Sequence, residues 1–324
     1  MSKPKVFVTR VIPDEGLNLI RKVCVADIWL GDMPPTRDEL LQHLRGMDGL
    51  LCLLTERIDS EVMDAAGSQL KVISNFAVGF DNIDVNAATA RRIPVGNTPD
   101  ALTDSTADFA FALMMSAGRR ILEGDRYVRA GNWKTWHPKL LLGIEMKGAT
   151  LGIVGFGRIG KAMARRAEGS EMRVIYFDPT EKHDVVQNAT PVDFDTLLRE
   201  SDFISLHTPL TPATHHLIDS RALTKMKPGA VLINTARGPI VDHDALYDAL
   251  KQNRIFAAAL DVTDPEPLPV DHPLLTLDNV IVTPHLGSAS VAARDRMASM
   301  SAKNLIAGVK GERLPNCVNP QVYG

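Results

Sequence analysis

Short apolar runs alternate with amphipathic stretches along almost the whole chain. Val6–Val8, Leu50–Leu54, Val72–Phe76 and Ile93–Val95 are compact runs of the kind that form parallel strands buried on both faces. Helical spacing fills the gaps at Pro13–Lys22, Thr36–Arg45 and Ser60–Ala66. This part predicts one α/β unit. The rhythm returns more strongly later, with strands predicted at Leu151–Val154, Val174–Phe177, Phe203–Leu206, Val231–Asn234, Ala257–Leu260 and Val280–Thr283. Helices fit between them at Ile159–Glu168, Phe194–Arg199, Ser220–Met226 and Asp242–Gln252. Strands separated by helices predict a doubly wound parallel sheet with right-handed crossovers.

Between the two series lies Asp104–Ala130, rich in Ala, Met and Phe, which predicts one long helix capped by Asp104 or Ser105 and stopped by Gly131. An aperiodic aromatic arm, NWKTWHPKLLLG (132–143), follows it. Ser290–Val309 predicts a last helix, and the first sheet still needs cover. The expected fold class is therefore α/β with two doubly wound parallel-sheet domains. A dinucleotide-binding (Rossmann) domain, 102–287, is inserted into a discontinuous flavodoxin-like domain made of 1–101 plus 288–324.

The composition narrows the partners. Hydrophobic residues make up 45% of the 324 residues and charged residues 23%, which suits a globular chain and excludes a disordered one. Lys+Arg 36 against Asp+Glu 39 gives a net charge of -3, so no basic footprint for nucleic acid is present. Cys24, Cys52 and Cys317 are widely spaced and fit no zinc pattern, which predicts reduced core thiols. The apolar run in MSKPKVFVTR is too short for a signal peptide, and no stretch approaches a membrane span. The expectation is a cytoplasmic protein. His207, His215 and His216 lack metal-ligand spacing, and no metal is predicted.

The strongest motif is GxGxxG at Gly155, Gly157 and Gly160, directly after a predicted strand and opening a predicted helix. Asp178 stands 18 residues beyond Gly160, at the end of the next strand. Gly155 permits the tight turn, Gly157 lets the backbone approach a pyrophosphate, and Gly160 lets helix and strand pack closely. The helix N-terminus presents free N–H groups to phosphates. Asp178 would accept from the adenosine ribose hydroxyls and repel a 2′-phosphate. Pro179, Thr180 and Glu181 follow it, with no immediate arginine. The reading is NAD, with NADP possible.

Arg237, Glu266 and His285 follow predicted strands of the same domain. Ligands of doubly wound sheets bind outside the carboxyl ends of the strands, so the three are predicted to converge. Hydride addition to a ketone builds negative charge on its oxygen. Histidine is the natural proton donor there, a carboxylate favours the imidazolium, and an arginine grips a substrate carboxylate.

GIVGFGRIGKAMARR, HTPLTPAT, LINTARGPIVD, ALDVTDPEPLPVDHPLL and NVIVTPHLGSAS, with NFAVGFDNID near residue 80, resemble the D-isomer-specific 2-hydroxyacid dehydrogenase family. DVTDPEPLP and HPLLTL are most similar to its glyoxylate/hydroxypyruvate reductases. The resemblance implies that His285 is the acid/base, that Glu266 pairs with it, and that Arg237 binds the substrate carboxylate and carbonyl. It implies further that Val78 and Gly79 offer N–H groups to that carboxylate, with Ser288 nearby. Arg158 and Ile159 would join the glycines at the pyrophosphate. Thr106, Thr208, Pro209, Thr235, Ala236, Asp261 and Gly287 would line the cofactor, with Asp261 accepting from the nicotinamide carboxamide. A homodimer through 104–145 is implied, with Trp136, or alternatively Trp133, reaching the neighbour's pocket. Val78 stands where phosphite dehydrogenases place a lysine, which argues against an inorganic oxyanion. The alternatives are a D-lactate or D-3-phosphoglycerate type of dehydrogenase, or an NAD-sensing corepressor-like protein.

Overall fold

The structure, a computed structural model, describes residues 2–180 and 188–324; Glu181 lies outside the described residues. The chain divides into two compact units, one holding the residues up to Leu102 with Ala289–Gly324 and the other Thr103–Ser288.

The first unit begins with β1 (Lys5–Val8), α1 (Asp14–Val23), β2 (Val25–Ile28), α2 (Arg37–Leu44), β3 (Gly49–Cys52), α3 (Ser60–Ala66), β4 (Val72–Asn75), α4 (Val85–Ala90) and β5 (Val95–Gly96). All strand pairings are parallel, in the order β2-β1-β3-β4-β5, which is the flavodoxin-like winding. Successive strand residues serve opposite faces. Val6 and Val8 enter one apolar cluster and Phe7 the other, and Leu51 faces away from Leu50 and Cys52. That two-sided burial is why these strands read as apolar runs.

The second unit begins with α5 (Thr103–Gly118) and α6 (Ile121–Arg129). The single helix expected over Asp104–Ala130 is therefore two. Arg120 breaks it with a left-handed φ of 54°, while the Gly118 carbonyl is taken by Ile144 N–H at 2.8 Å. Asp104 and Ser105 accordingly lie inside the first turn of α5 and do not cap it. Then come β6 (Thr150–Val154), α7 (Arg158–Glu168), β7 (Arg173–Phe177), β8 (Ala189–Pro191), α8 (Phe194–Glu200), β9 (Phe203–Leu206), α9 (Ser220–Lys225), β10 (Val231–Asn234), α10 (His243–Lys251), β11 (Ala257–Leu260) and β12 (Val280–Val282). The parallel sheet runs β12-β11-β10-β9-β6-β7-β8, the Rossmann winding with one strand added at the far edge. Leu151, Ile153, Val231 and Ile233 pack with α5 and α7, while Val154 and Leu232 pack with α8, α9 and α10.

The chain returns to the first unit as α11 (Val291–Val309), capped by the Ser290 hydroxyl. It lies on α1, β3 and β4 and supplies the cover that the first sheet lacks. The two-sheet α/β fold class is thus as expected. Cys24 and Cys52 are buried thiols, but Cys317 is only half-buried. Among the described residues no helix is long and apolar enough to cross a membrane.

Candidate active site

The winding of the second sheet reverses between β6 and β9, and the glycine turn sits there. Gly155 has φ +89°, and a Cβ on it would stand 2.7 Å from the His207 carbonyl carbon and the Thr208 nitrogen beyond β9. A Cβ on Gly160 would lie 2.3 Å from the Gly155 oxygen, so α7 rests directly on the turn. A Cβ on Gly157 would meet nothing within 4 Å. Packing explains two of the glycines; the third borders open space, which suits a ligand approaching the backbone.

The helix start agrees. Thr36, Asp59, Asp84, Asp193, Asp219, Asp242 and Ser290 each cap a helix with a side-chain oxygen, whereas α7 at Gly157, like α1 at Pro13 and α6 at Arg120, starts without one. The N–H groups around Arg158 and Ile159 are those a phosphate would take over. Asp178 is fixed at the edge of the turn, its Oδ2 accepting from Phe156 N–H at 2.7 Å and its Oδ1 from Thr180 N–H at 2.9 Å. These features fit a dinucleotide. Thr208 and Pro209 follow β9, and Thr235 and Ala236 follow β10. The Thr235 hydroxyl is buried without a hydrogen-bond partner among the described residues. His207 is held neutral by burial, its pKa pushed down to about 4.

Arg237 follows β10 through Thr235 and Ala236. Buried Asn234, the last residue of β10, shapes this turn by donating to Arg237 O at 2.8 Å and accepting from Ala236 N–H at 3.0 Å. Next, Gly238 presses so closely on the Thr263 carbonyl that a Cβ would lie 1.9 Å from its oxygen. The Arg237 turn is thereby packed against the loop of Glu266. That loop has cis peptides at Asp264–Pro265 and Glu266–Pro267. Thr263 anchors it, its N–H donating to Glu266 Oε2 at 3.3 Å and its hydroxyl to Pro265 O at 2.8 Å. His243, at 7% exposure, supports it from beneath through Asp264.

Glu266 Oε1 and His285 Nδ1 are 2.7 Å apart. Burial opposes ionisation of Glu266. The hydrogen bond and charge of His285, the Thr263 N–H and the Arg237 charge outweigh it and hold the carboxyl below the usual range. The three predicted residues therefore act on one another. With Nδ1 facing Glu266, His285 Nε2 is left without a protein partner among the described residues. His285 has a left-handed φ of 55°, unusual for a side chain with a Cβ. Its N–H donates to the Asp261 carbonyl at 3.0 Å.

Asp261, 1% exposed, directs the rest of that loop. Oδ1 accepts from Leu286 N–H at 2.7 Å and the Thr283 hydroxyl at 2.6 Å, and Oδ2 from Gly287 N–H at 2.7 Å. Both oxygens are thus engaged in holding the His285 loop, a task that sequence reasoning did not assign to Asp261. Asn234 and His243 were missed as well. His243 meets its partner, the Asp264 backbone, only in the fold, whereas Asn234 bonds the turn that directly follows it. Gly287 lies against Asp261 and Thr106, a Cβ there standing 3.2 Å from Asp261 Oδ2 and 3.3 Å from Thr106 Cγ2. Ser288, buried, closes the second unit.

Val78 and Gly79 belong to the first unit and follow β4. Trp133 and Trp136 are 61% and 78% exposed on the arm after α6. Among the described residues no group of three or more His, Cys, Asp or Glu could hold a metal ion.

Comparisons with known proteins meet this geometry. Residues 111–287 match the profile of "D-isomer specific 2-hydroxyacid dehydrogenase, NAD binding domain". A glyoxylate reductase of Korarchaeum cryptofilum is 51% identical over 323 residues, covering 99% of this chain and 97% of the relative. A crystal structure of a Thermus thermophilus protein superposes with a TM-score of 0.92 at 47% identity, covering 97% of this chain and 99% of the other. The NADPH-dependent glyoxylate/hydroxypyruvate reductase of Sinorhizobium meliloti, in complex with NADP and malonate, has a TM-score of 0.86 at 30% identity, with 98% of each chain covered.

Proposed function

This chain belongs to the D-isomer specific 2-hydroxyacid dehydrogenase family, and from that premise we propose that it reduces glyoxylate and hydroxypyruvate, with NADH preferred over NADPH. As an NAD(P)-dependent oxidoreductase of this family it moves hydride between a nicotinamide and C2 of a short 2-keto or 2-hydroxy acid. The observation that carries the reading is the 2.7 Å Glu266–His285 pair, set beside Arg237 in a unit that opens with the glycine turn.

Gly155, Gly157, Gly160, Arg158 and Ile159 would hold the pyrophosphate, and Asp178 the adenosine ribose. Thr106, Thr208, Pro209, Thr235, Ala236, Asp261 and Gly287 would line the remainder. The bound cofactor supplies the hydride. Arg237 binds the substrate carboxylate and polarises the adjoining carbonyl. His285 Nε2 delivers its proton to the carbonyl oxygen as C2 is reduced, so the C=O becomes a CH–OH. Glu266 holds the ring through Nδ1 and stabilises the imidazolium that makes this delivery. We read the first unit as the substrate domain; the family resemblance implies that its Val78 and Gly79 would offer N–H groups to a substrate carboxylate, and that Ser288 would lie near the substrate.

The NADH preference rests on Asp178, whose fixed carboxylate would face a 2′-phosphate as a like charge. We read the molecule as a cytoplasmic homodimer joined through residues 104–145. In support, α6 buries none of its residues, and Ile121, Val128, Trp133, Trp136 and Leu142 stand more than half exposed. The three free cysteines suit a reducing compartment.

The test is steady-state oxidation of NADH and of NADPH with glyoxylate and with hydroxypyruvate. The expected result is turnover of both substrates with NADH favoured, and a loss of that preference in Asp178→Ala. Turnover with NADPH alone refutes the role of Asp178. A lack of turnover across a panel of 2-keto acids, despite tight NADH binding, refutes the reductase reading.

A further inference from the structure

The first unit clamps the backbone of one turn with side-chain amides. After β4 ends at Asn75, the segment Phe76–Phe80 crosses the carboxyl end of its sheet. Three successive carbonyls of this segment are each held by a donor. Ala77 O accepts from Thr98 N–H at 2.9 Å, Val78 O from Asn97 Nδ2 at 2.8 Å, and Gly79 O from Asn75 Nδ2 at 2.8 Å. In a trans peptide the carbonyl of one residue and the N–H of the next point in opposite directions. Fixing these carbonyls therefore aims the N–H groups of Val78, Gly79 and Phe80 away from the asparagines. None of those three N–H groups has an acceptor among the described residues. Successive free N–H groups of this kind make a concave anion site.

The clamps are themselves anchored. Asn75 is wholly buried and also donates to Asn82 Oδ1 at 3.1 Å. Asn82 in turn donates to the Leu53 and Glu56 carbonyls at 2.9 and 3.1 Å. Asn97 is held from α11, where wholly buried Asn304 donates to its carbonyl at 2.9 Å. A free turn would spend its carbonyls and N–H groups on water in many orientations. This one is fixed before any substrate arrives, which spares the cost of ordering it on binding.

Resting on the reductase reading, we propose that Asn75 and Asn97 are positioning residues for the substrate carboxylate, and that Phe80 N–H joins Val78 and Gly79 as its third donor. The asparagines act through the peptide planes. Losing one clamp frees one N–H, and a hydrogen bond to a charged group of this kind is worth about tenfold or more in affinity.

The test uses Asn97→Ala, since Asn97 is only half-buried, with Asn97→Ser as the second variant should the first fail to fold. Oxamate, an unreactive carboxylate analogue of glyoxylate, is titrated calorimetrically into the NADH-loaded protein, and NADH affinity is measured separately. The expected result is an oxamate Kd raised about tenfold, an NADH Kd within about twofold of wild type, and a matching fall in the preference for glyoxylate over its amide. An oxamate Kd that stays at the wild-type value overturns the proposal, as does a joint loss of oxamate and NADH affinity, which marks general loosening. A wild type that turns over no 2-keto acid refutes the reductase reading alone, because the oxamate titration still judges the clamps.

Discussion

Replacing Glu266 with Gln removes the charge beside His285 while keeping an oxygen that can accept from Nδ1. The ring keeps its orientation, so the substitution isolates the electrostatic contribution. The two groups lie 2.7 Å apart at their nearest atoms, with side-chain exposures of 26% for His285 and 36% for Glu266. Unit charges about 4 Å apart are worth roughly 1 kcal/mol in water and roughly 4 kcal/mol near a protein surface. Their exposure places this pair toward the lower end, at about 1–2 kcal/mol. One pH unit corresponds to about 1.4 kcal/mol. Reduction needs the proton on His285, so the rate is full at low pH and falls as pH rises. Without the carboxylate the proton is held less firmly and the fall comes earlier. The kcat–pH profile of keto-acid reduction at saturating NADH should therefore move about one unit toward acid in Glu266→Gln. The variant should recover most of the wild-type rate on the acid plateau. Because Glu266 is held below the usual carboxylate range, its carboxylate stays ionised in mild acid, and this plateau is accessible. A profile that keeps its position while the rate drops equally at every pH would refute the electrostatic role and leave Glu266 as a spacer.

The glycines give a contrast. Gly157→Ala should weaken NADH binding by about tenfold, the worth of one backbone hydrogen bond to a charged group, with an unchanged thermal midpoint, because its Cβ meets no protein atom within 4 Å. Gly160→Ala should lower the midpoint as well, since its Cβ would stand 2.3 Å from a backbone oxygen. Gly238→Ala pushes a methyl against the Thr263 backbone, which cannot swing aside, and should cost about 3 kcal/mol in denaturant unfolding together with most of the activity. Arg237→Ala should raise the keto-acid KM and lower kcat together, by roughly a hundredfold in kcat/KM; steady-state kinetics check this, and an effect on neither constant removes Arg237 from the site.

The sheets were legible because their strands are buried on both faces. Phe203–Leu206, Val231–Asn234 and Ala257–Leu260 are strands over the residues their apolar runs predict. β2 and β8 escaped the pattern. As edge strands they are only partly covered, so VADI and ATP carry no continuous apolar signal. The break between α5 and α6 was hidden for another reason. Nothing in Arg119–Arg120 resembles a turn, and the interruption depends on Ile144, more than twenty residues on, taking the Gly118 carbonyl. Gly155, Gly160, Glu266 and His285 could be placed from sequence because local spacing and strand ends set their positions. The engagement of Asp261 could not, since its partners are 22 to 26 residues away.

Those hidden residues share a logic. Where a strand ends its ladder stops, and the loop beyond must satisfy its own backbone groups. Asn75 closes β4, Asn234 closes β10, and Asp261 follows β11 directly. Each is 0–1% exposed, where an unpaired amide or carboxylate would be strongly unfavourable. Each is instead engaged by the loop that carries a candidate site group: Asn75 by the turn of Val78 and Gly79, Asn234 by that of Arg237, Asp261 by that of His285. Buried polarity at these positions thus converts the rigidity of the sheet into the rigidity of the site. The left-handed backbone of His285 is a case in point. A lone residue in that region costs about 1–2 kcal/mol, and the hydrogen bonds centred on Asp261 are sufficient to hold it there. The side chains that set the geometry of the chemistry are therefore a layer of buried amides and one carboxylate, which need never touch the substrate.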